Sequence, residues 1–458
     1  MAAFAVVFAH ERFQADGAHY LLHIMQSESF RIEHQRFILA FSQLLPVAGI
    51  KLGLSANVVI ILNSLNNVVY FFGLFLLAVR YLNDRKAGIA IILSSVLGVL
   101  HIQFIPMYEI WYGIPLVILL FSFLQNNRVT YTSDVLLFYG IMITALFSHP
   151  LIFIPVLFVL LYDYTSVRQL RIRTILTTAL VFTTWYVSKK LMLTEYESGK
   201  MSMLDTGWNK AYENLLHFHY YLKLGDFFFT WYTIPSVMLC LSLIYFFLNK
   251  SWLKLFTVMG FWCGHILLIN FTHVNDPVLS PYFERMYMPL LVFSLIPFLY
   301  DVSGSIRMNG FIVAFILVAV IAWRFFRFTE LGLDYKKKTQ LAEELIRNCM
   351  QQKGSKFVMN DEDYHSCFSF IDWSFPMETM IRSSAMNKSK SISVVTSEDM
   401  AENQNSVSLQ KNQFLFRRWE IMNDESANHK YFNLKSGAYV QLPPMCQKIT
   451  SRNTLAGK

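Results

Sequence analysis

The segment VVIILNSLNNVVYFFGLFLLAV, residues 58–79, decides the fold class. It is apolar, contains no Asp, Glu, Lys or Arg, and exceeds the roughly 20 residues that a helix needs to cross a bilayer. Apolar runs near this length recur at residues 87–104, 108–125, 132–147, 151–164, 174–192, 233–249, 253–271, 284–300 and 308–325. The sequence therefore predicts an all-α polytopic membrane protein with about 10–11 transmembrane helices.

The overall composition agrees with this prediction. Of 458 residues, 54% are apolar and only 15% are charged, whereas soluble domains average about 25% charged residues. The net charge of +8 is spread over short connections and the C-terminal part, so it predicts no nucleic-acid partner. The sequence also lacks a Walker loop, a GxGxxG motif and a GxSxG motif, which argues against nucleotide-driven transport and hydrolase chemistry.

The distribution of Lys and Arg predicts the orientation in the membrane. Alternate short connections are basic, and such connections usually face the cytoplasm; they contain Arg80, Arg85, Lys86, Arg128, Arg168, Arg171, Arg173, Lys250, Lys254 and Arg307. The turns between them, around Pro106–Glu109, Ser148–Pro150 and Thr272–Pro281, have no Lys or Arg. We therefore expect these turns on the non-cytoplasmic side.

All the long polar segments fall on that same side. They are the outer loops 10–55 and 193–231 of a membrane domain covering residues 1–328, and a soluble α+β tail covering residues 329–458. In the first loop, residues 17–28 and 32–52 are predicted as helices at the membrane surface. The apolar start MAAFAVVFAH is too short to span and is predicted as the outer part of a first helix or as an interfacial terminus.

In the tail we expect a helix at residues 333–352 and a strand at KFVMN, residues 356–360. Residues 383–412, rich in Ser, Asn and Lys, are predicted as loop or disordered. Three cysteines, Cys349, Cys367 and Cys446, allow one disulfide with three alternative pairings.

The first outer loop contains the segment FQADGAHYLLHIM, residues 13–25. If it is helical, Asp16, His19, Tyr20 and His23 fall at positions i, i+3, i+4 and i+7 and share one face. Ionisable groups beside hydrocarbon are costly, so this polar face is a candidate functional surface, on which His19, Tyr20 and His23 are candidate substrate-binding residues.

Other candidates occur in the remaining outer turns. Glu109, His149, Glu284 and Arg285 are candidate substrate-binding residues, and an Arg at this position can hold a phosphate through two hydrogen bonds. The alternative prediction is that Glu284 and Arg285 extend towards water or pair with each other at the interface. His273 and Asp276 are candidate ligands of a divalent metal ion.

The layout of the chain, with FQADGAHYLL in an early outer loop and YFERMYMPLL at a late helix start, resembles the GT-C membrane glycosyltransferases. The protein O-mannosyltransferases and the lipid A aminoarabinose transferases are the members compared. Many members carry two adjacent acidic residues in the first loop, where this chain has Asp16 followed by Gly17. The resemblance covers roughly residues 1–325.

The resemblance implies that Asp16 is the catalytic base and that the donor is a polyprenyl-phosphate sugar entering from the bilayer. It implies transfer to an acceptor on the non-cytoplasmic face, and we expect a location in a bacterial inner (cell) membrane among its lipids. The acceptor is unknown. Arg285 would assist the departing phosphate.

Two other functions fit the sequence: a polysaccharide polymerase or ligase, and a transporter (flippase) of lipid-linked sugars. No internal repeat of the kind common in transporters is evident. A glycosyltransferase requires Asp16, Arg285 and at least one of Glu109, His149 or His273 to meet at one outward cavity.

Overall fold

The computed structural model describes residues 1–126, 132–167, 172–192, 194–210, 212–213, 216, 218–273, 281–305, 310–368, 373–402, 411–417 and 420–444. Within them the chain is predominantly helical, with two small sheets. The α-helices are Ala2–Val7, Asp16–Ser27, Ile38–Ser42, Leu44–Lys51, Ala56–Leu76, Arg85–Ser94, Glu109–Gln125, Thr132–Leu146, Phe153–Val167, Ile172–Leu191, Glu195–Asn209, Phe218–Thr230, Thr233–Leu248, Trp252–Thr272, Pro281–Met286, Pro289–Pro297, Ser303–Ser305, Gly310–Gln351, Asp361–Cys367, Phe375–Met386 and Ser397–Glu402. The helical prediction is confirmed.

Three helices among the described residues are long and apolar enough to cross a membrane: Ala56–Tyr81, Trp252–Thr272 and Phe311–Gln351. A fourth span is possible if Tyr221–Thr230 and Thr233–Leu248, bent by 96° at their junction, count as one. Four shorter apolar helices follow the predicted runs, at Glu109–Gln125, Ser133–Leu146, Pro150–Ser166 and Pro289–Ser305. Length and composition therefore indicate membrane association.

The helix Glu109–Gln125 lies at the centre of the largest apolar cluster. Nearly all of its side chains are buried, including Trp111 and Tyr112, and it packs against the helices that begin at Ala56, Thr132 and Phe153. Its first residue is Glu109, so this buried helix presents a carboxylate at its N-terminal end.

The first loop folds differently from the prediction over residues 32–52. Instead of one helix, two short helices form, Ile38–Ser42 and Leu44–Lys51, after a non-helical segment. His34 and Gln35 both have positive φ, at 49° and 55°, which no α-helix accommodates. This turn brings the charged residues that precede the helices back over Asp16–Ser27.

The tail contains a parallel sheet in the order β2-β1-β5, formed by β1 (Lys356–Met359), β2 (Ser393–Thr396) and β5 (Val440–Gln441). An antiparallel pair joins β3 (Gln413–Arg417) and β4 (Glu420–Asn423). The strand predicted at KFVMN is confirmed. The loop predicted for 383–412 is wrong at β2, whose apolar residues Val394 and Val395 are buried where β2 pairs with β1.

The tail is continuous with the membrane-type helices. The helix Gly310–Gln351 runs through the expected boundary at residue 328 and includes most of the short helix expected at 333–352. Of the cysteines, Cys349 is a buried free thiol and Cys367 is in a disulfide, which excludes the pairings that involve Cys349.

The tail packs directly on the helix Asp16–Ser27. Leu21 and Met25 of the helix Asp16–Ser27 share an apolar cluster with Met380, Ile381 and Phe416. The side chain of Asn428 donates to the carbonyl oxygen of Met25 at 2.8 Å. The helix that carries the candidate residues is therefore fixed between the membrane-type helices and the tail.

Candidate functional site

The helix Asp16–Ser27 begins at an unusual backbone position. Ala15, immediately before it, has φ 48° and ψ −124°, a conformation that L-residues rarely adopt. Such strain persists only where the surrounding fold enforces it, and it often occurs at functional sites. The turn places Asp16 at the first position of the helix, where backbone N–H groups favour a negative charge.

The face predicted from FQADGAHYLLHIM forms largely as expected and lines a cavity of about 670 Å³. Asp16, His19 and Tyr20 come from this helix, whereas His23 lies one turn further on and is not part of the lining. The other residues that line the cavity are Arg31, Ile32, Glu33, His34, Arg36, Glu109, Arg285 and Trp373. Asp16, Arg285 and Glu109 therefore meet at one cavity.

Asp16 and Arg285 form the ion pair at the centre of this cavity. Nη1 of Arg285 lies 3.3 Å from Oδ2 of Asp16, and the Arg285 guanidinium stacks 4.7 Å from the ring centre of Tyr108. The Asp16 side chain is 33% exposed and that of Arg285 only 12%. Withdrawal from bulk water raises the pKa of Asp16, and the charge of Arg285 partly offsets that rise.

A second ion pair lies beside the first. Nη1 of Arg36 donates to Oε1 of Glu109 at 2.8 Å, and the hydroxyl of Tyr20 donates to the same oxygen at 3.4 Å. Both side chains of the ion pair are almost fully buried, at 10% and 4% exposure. A buried charge pair of this kind needs both partners, so it holds the non-helical segment of the first loop against the central helix.

Glu33 forms the third group of charges. Its Oε1 lies 3.2 Å from Nε2 of His19 and 3.1 Å from the Arg31 guanidinium. Burial by itself would raise the pKa of Glu33, but the hydrogen bonds and charges of His19 and Arg31 outweigh it and lower the pKa to about 2. Glu33 is therefore ionised at neutral pH.

Glu284 and Arg285, although adjacent, have different surroundings. The Glu284 carboxylate accepts backbone N–H groups of Leu100, of His101 at 2.8 Å and of Ile102 at 3.2 Å, and it is fully buried away from the cavity. Glu284 was expected to bind substrate. Its carboxylate oxygens instead accept hydrogen bonds from the backbone that begins the short helix His101–Phe104. It does not pair with Arg285 either.

The remaining candidates lie outside the cavity lining. His149 caps the short helix Pro150–Ile152 by accepting the N–H of Leu151 at 3.2 Å, although Arg36 and Arg285 are within electrostatic reach. His273 contacts Thr272 at 2.6 Å and packs on Phe283. Asp276, its expected partner as a metal ligand, lies outside the described residues.

Sequence reasoning missed Glu33 and Arg36 as members of the site. Both occur in RIEHQRF, residues 31–37, which was assigned to an interfacial helix. Two arginines, a glutamate and a histidine within six residues are unusual in a chain with only 15% charged residues, and this was the available signal.

The cavity is lined by ion pairs between arginine and carboxylate side chains. Among the described residues that line it, three arginines face three carboxylates, which allows an anionic ligand to be bound when an arginine exchanges its carboxylate for that ligand. Compared with known proteins, the chain matches no family model, no curated protein and no solved structure.

Proposed function

We propose that this protein is a membrane glycosyltransferase that moves a sugar from a polyprenyl-phosphate donor to an acceptor hydroxyl on the non-cytoplasmic face. One observation carries the proposal: Asp16 and Arg285, which are 269 residues apart along the chain, meet at 3.3 Å in the cavity that Glu109 also lines. A carboxylate beside a cation is the minimum that this reaction needs.

In the proposed reaction, the acceptor oxygen attacks the anomeric carbon of the donor. The new bond joins that oxygen to the carbon, the bond from the carbon to the phosphate oxygen breaks, and the hydroxyl proton passes to Asp16. The bond electrons leave with the polyprenyl phosphate, whose added negative charge Arg285 stabilises. Because the guanidinium of Arg285 also pairs with Asp16, a bound phosphate competes with the carboxylate for it and frees Asp16 to accept the proton.

The raised pKa of Asp16 supports its role as the base. A general base works best when its pKa lies close to the working pH, and an ordinary exposed Asp is too acidic for that. The partly withdrawn position of Asp16 therefore favours proton transfer. Glu109 and Tyr20, held by Arg36, define the adjoining wall of the cavity.

We propose a polytopic architecture of about 10–11 spans for this enzyme. The helices that pass the length and composition criteria, together with the shorter apolar helices, support it. The absence of Lys and Arg from the turns at Pro106–Glu109 and Ser148–Pro150 supports a site on the non-cytoplasmic side. The disulfide at Cys367 fits an exported tail, because disulfides persist in oxidising compartments such as the periplasm.

The test is a donor panel. Purified protein in lipid vesicles is incubated with radiolabelled polyprenyl-phosphate sugars and with membranes from cells that lack the protein as the source of acceptor. We expect at least one donor to release polyprenyl phosphate as label moves to acceptor. If label crosses sealed vesicles while every sugar–phosphate bond stays intact, the protein is a transporter and the proposal is wrong.

A further inference from the structure

His19, His23 and Glu33 come together at one edge of the cavity. One potential ligand atom from each lies within 4.8 Å of the other two, and the pair His19 Nε2 and Glu33 Oε1 is already at 3.2 Å. The two histidines are four residues apart on the helix Asp16–Ser27, so both rings project from the same side. Their ring centres are 4.5 Å apart.

We propose that these three residues bind a zinc ion. Two imidazoles and one carboxylate are a ligand set that Zn²⁺ uses in catalytic sites, where a fourth position stays open. Around a tetrahedral Zn²⁺ with bonds of about 2.1 Å, ligand atoms are roughly 3.4 Å apart. The present spacing of up to 4.8 Å therefore requires shifts of only about 1 Å to close around the ion.

The surroundings of the cluster allow this closure. The buried Nδ1 of His19 makes no hydrogen bond among the described residues, so only the contact of Nε2 with Glu33 has to adjust when the ring closes on an ion. Arg31, which now pairs with Glu33, has a side chain 43% exposed and can turn towards water when an ion takes its place.

The open fourth position of the ion faces the cavity. His19 and Glu33 line the cavity, whereas His23 lies behind them with its ring 4.7 Å from Phe416 of the tail. A water molecule or a phosphate oxygen would complete the coordination from the cavity side. Because His19 is one helical turn from Asp16, the ion would add positive charge beside the cavity centre.

This site differs from the metal site expected at His273 and Asp276, and it is independent of the proposed glycosyl transfer. Zinc binding is measured without any sugar donor. A failed donor panel would therefore leave the zinc site standing, and a protein without zinc could still transfer sugar.

The experiment measures zinc in the full-length protein, purified in detergent through a tag without histidine. The protein is stripped with a chelator, titrated with Zn²⁺ against a competing chelator of known affinity, and analysed for metal by mass spectrometry. We expect one equivalent of tightly bound Zn²⁺ per chain. If native protein binds far less than one equivalent of Zn²⁺, the proposal is wrong, and no variant is needed to show it.

Variants then locate the ion. His19→Gln, His23→Gln and Glu33→Gln should each weaken Zn²⁺ binding by more than the roughly 10- to 100-fold that loss of an outer-shell partner costs. His34→Gln is the matched control, because His34 lines the same cavity next to Glu33 but is not in the cluster. If His34→Gln loses as much zinc as the other three, or if none of the three does, the assignment is wrong.

Discussion

Nη1 of Arg285 lies 3.3 Å from Oδ2 of Asp16, although 269 residues separate the two along the chain. Asp16 is the first residue of the helix Asp16–Ser27, and Arg285 lies in the short helix Pro281–Met286 before a late apolar helix. Folding therefore brings a carboxylate and a guanidinium from two distant segments of the chain into one cavity.

Replacing Arg285 should change the pH dependence of sugar transfer. In Arg285→Met the positive charge that lowers the pKa of Asp16 is lost, while the burial that raises it remains. Because the base acts only when deprotonated, the acidic limb of the profile of kcat/KM against pH should move to higher pH. Arg285→Lys, which keeps the charge, should move it less. An unmoved limb in Arg285→Met would show that Asp16 is not the group being titrated.

The ion pair of Arg36 and Glu109 should contribute to folding through both partners together. Arg36→Met leaves the Glu109 carboxylate buried without its 2.8 Å partner, and such a loss typically costs about 3–5 kcal/mol. The double variant Arg36→Met, Glu109→Leu removes both charges and should be more stable than the sum of the single changes predicts. Thermal unfolding in detergent measures this, and strictly additive effects would rule out the coupling.

The side chain of Glu284 should stabilise the folded protein. Glu284→Ala leaves the backbone N–H groups of Leu100, His101 and Ile102 without their acceptor, at about 1–3 kcal/mol for each group left unsatisfied. Glu284→Gln retains one acceptor oxygen and should lose less. The melting temperature reports both. If Glu284→Ala melts at the same temperature as native protein, Glu284 does not stabilise the fold, and a role in substrate binding would again account for it.

Trp373 connects the tail to the cavity that Asp16 and Arg285 line. It lines the cavity, with its ring 6.2 Å from that of His19. Aromatic contacts contribute about 0.5–1.5 kcal/mol beyond their buried area, so Trp373→Ala should lower kcat/KM by about 2- to 12-fold. Trp373→Phe should keep most of the activity. Equal kinetics for Trp373→Ala and native protein would exclude the tail from substrate binding at this position.

Local signals in the sequence predicted part of this arrangement. The period of FQADGAHYLLHIM placed Asp16, His19 and Tyr20 on one face, and the apolar run KFVM was correctly assigned to a strand. These features depend on residues close together in the chain, so the spacing of polar and apolar residues along a helix or strand is enough to predict them.

Other parts depend on tertiary contacts that no local pattern encodes. The turn at His34 and Gln35 moves Glu33 and Arg36 to the cavity, and its positive φ values occur at two consecutive residues neither of which is glycine. Glu284 and Arg285 share one helical turn, yet one holds the backbone at His101 and the other contacts Asp16. The strand β2 forms because β1 lies beside it, within a stretch whose composition favours loop.

Asp16 is the proposed base, and its replacement by Asn separates proton transfer from the size of the side chain. Sugar transfer from the best polyprenyl-phosphate donor is measured for native protein and for Asp16→Asn, which keeps the size of the side chain but accepts no proton. The melting temperatures of the two proteins are compared alongside. Transfer should fall by about 10²- to 10⁴-fold while the melting temperature stays close to that of native protein. Equal rates of transfer by the two proteins would contradict the claim.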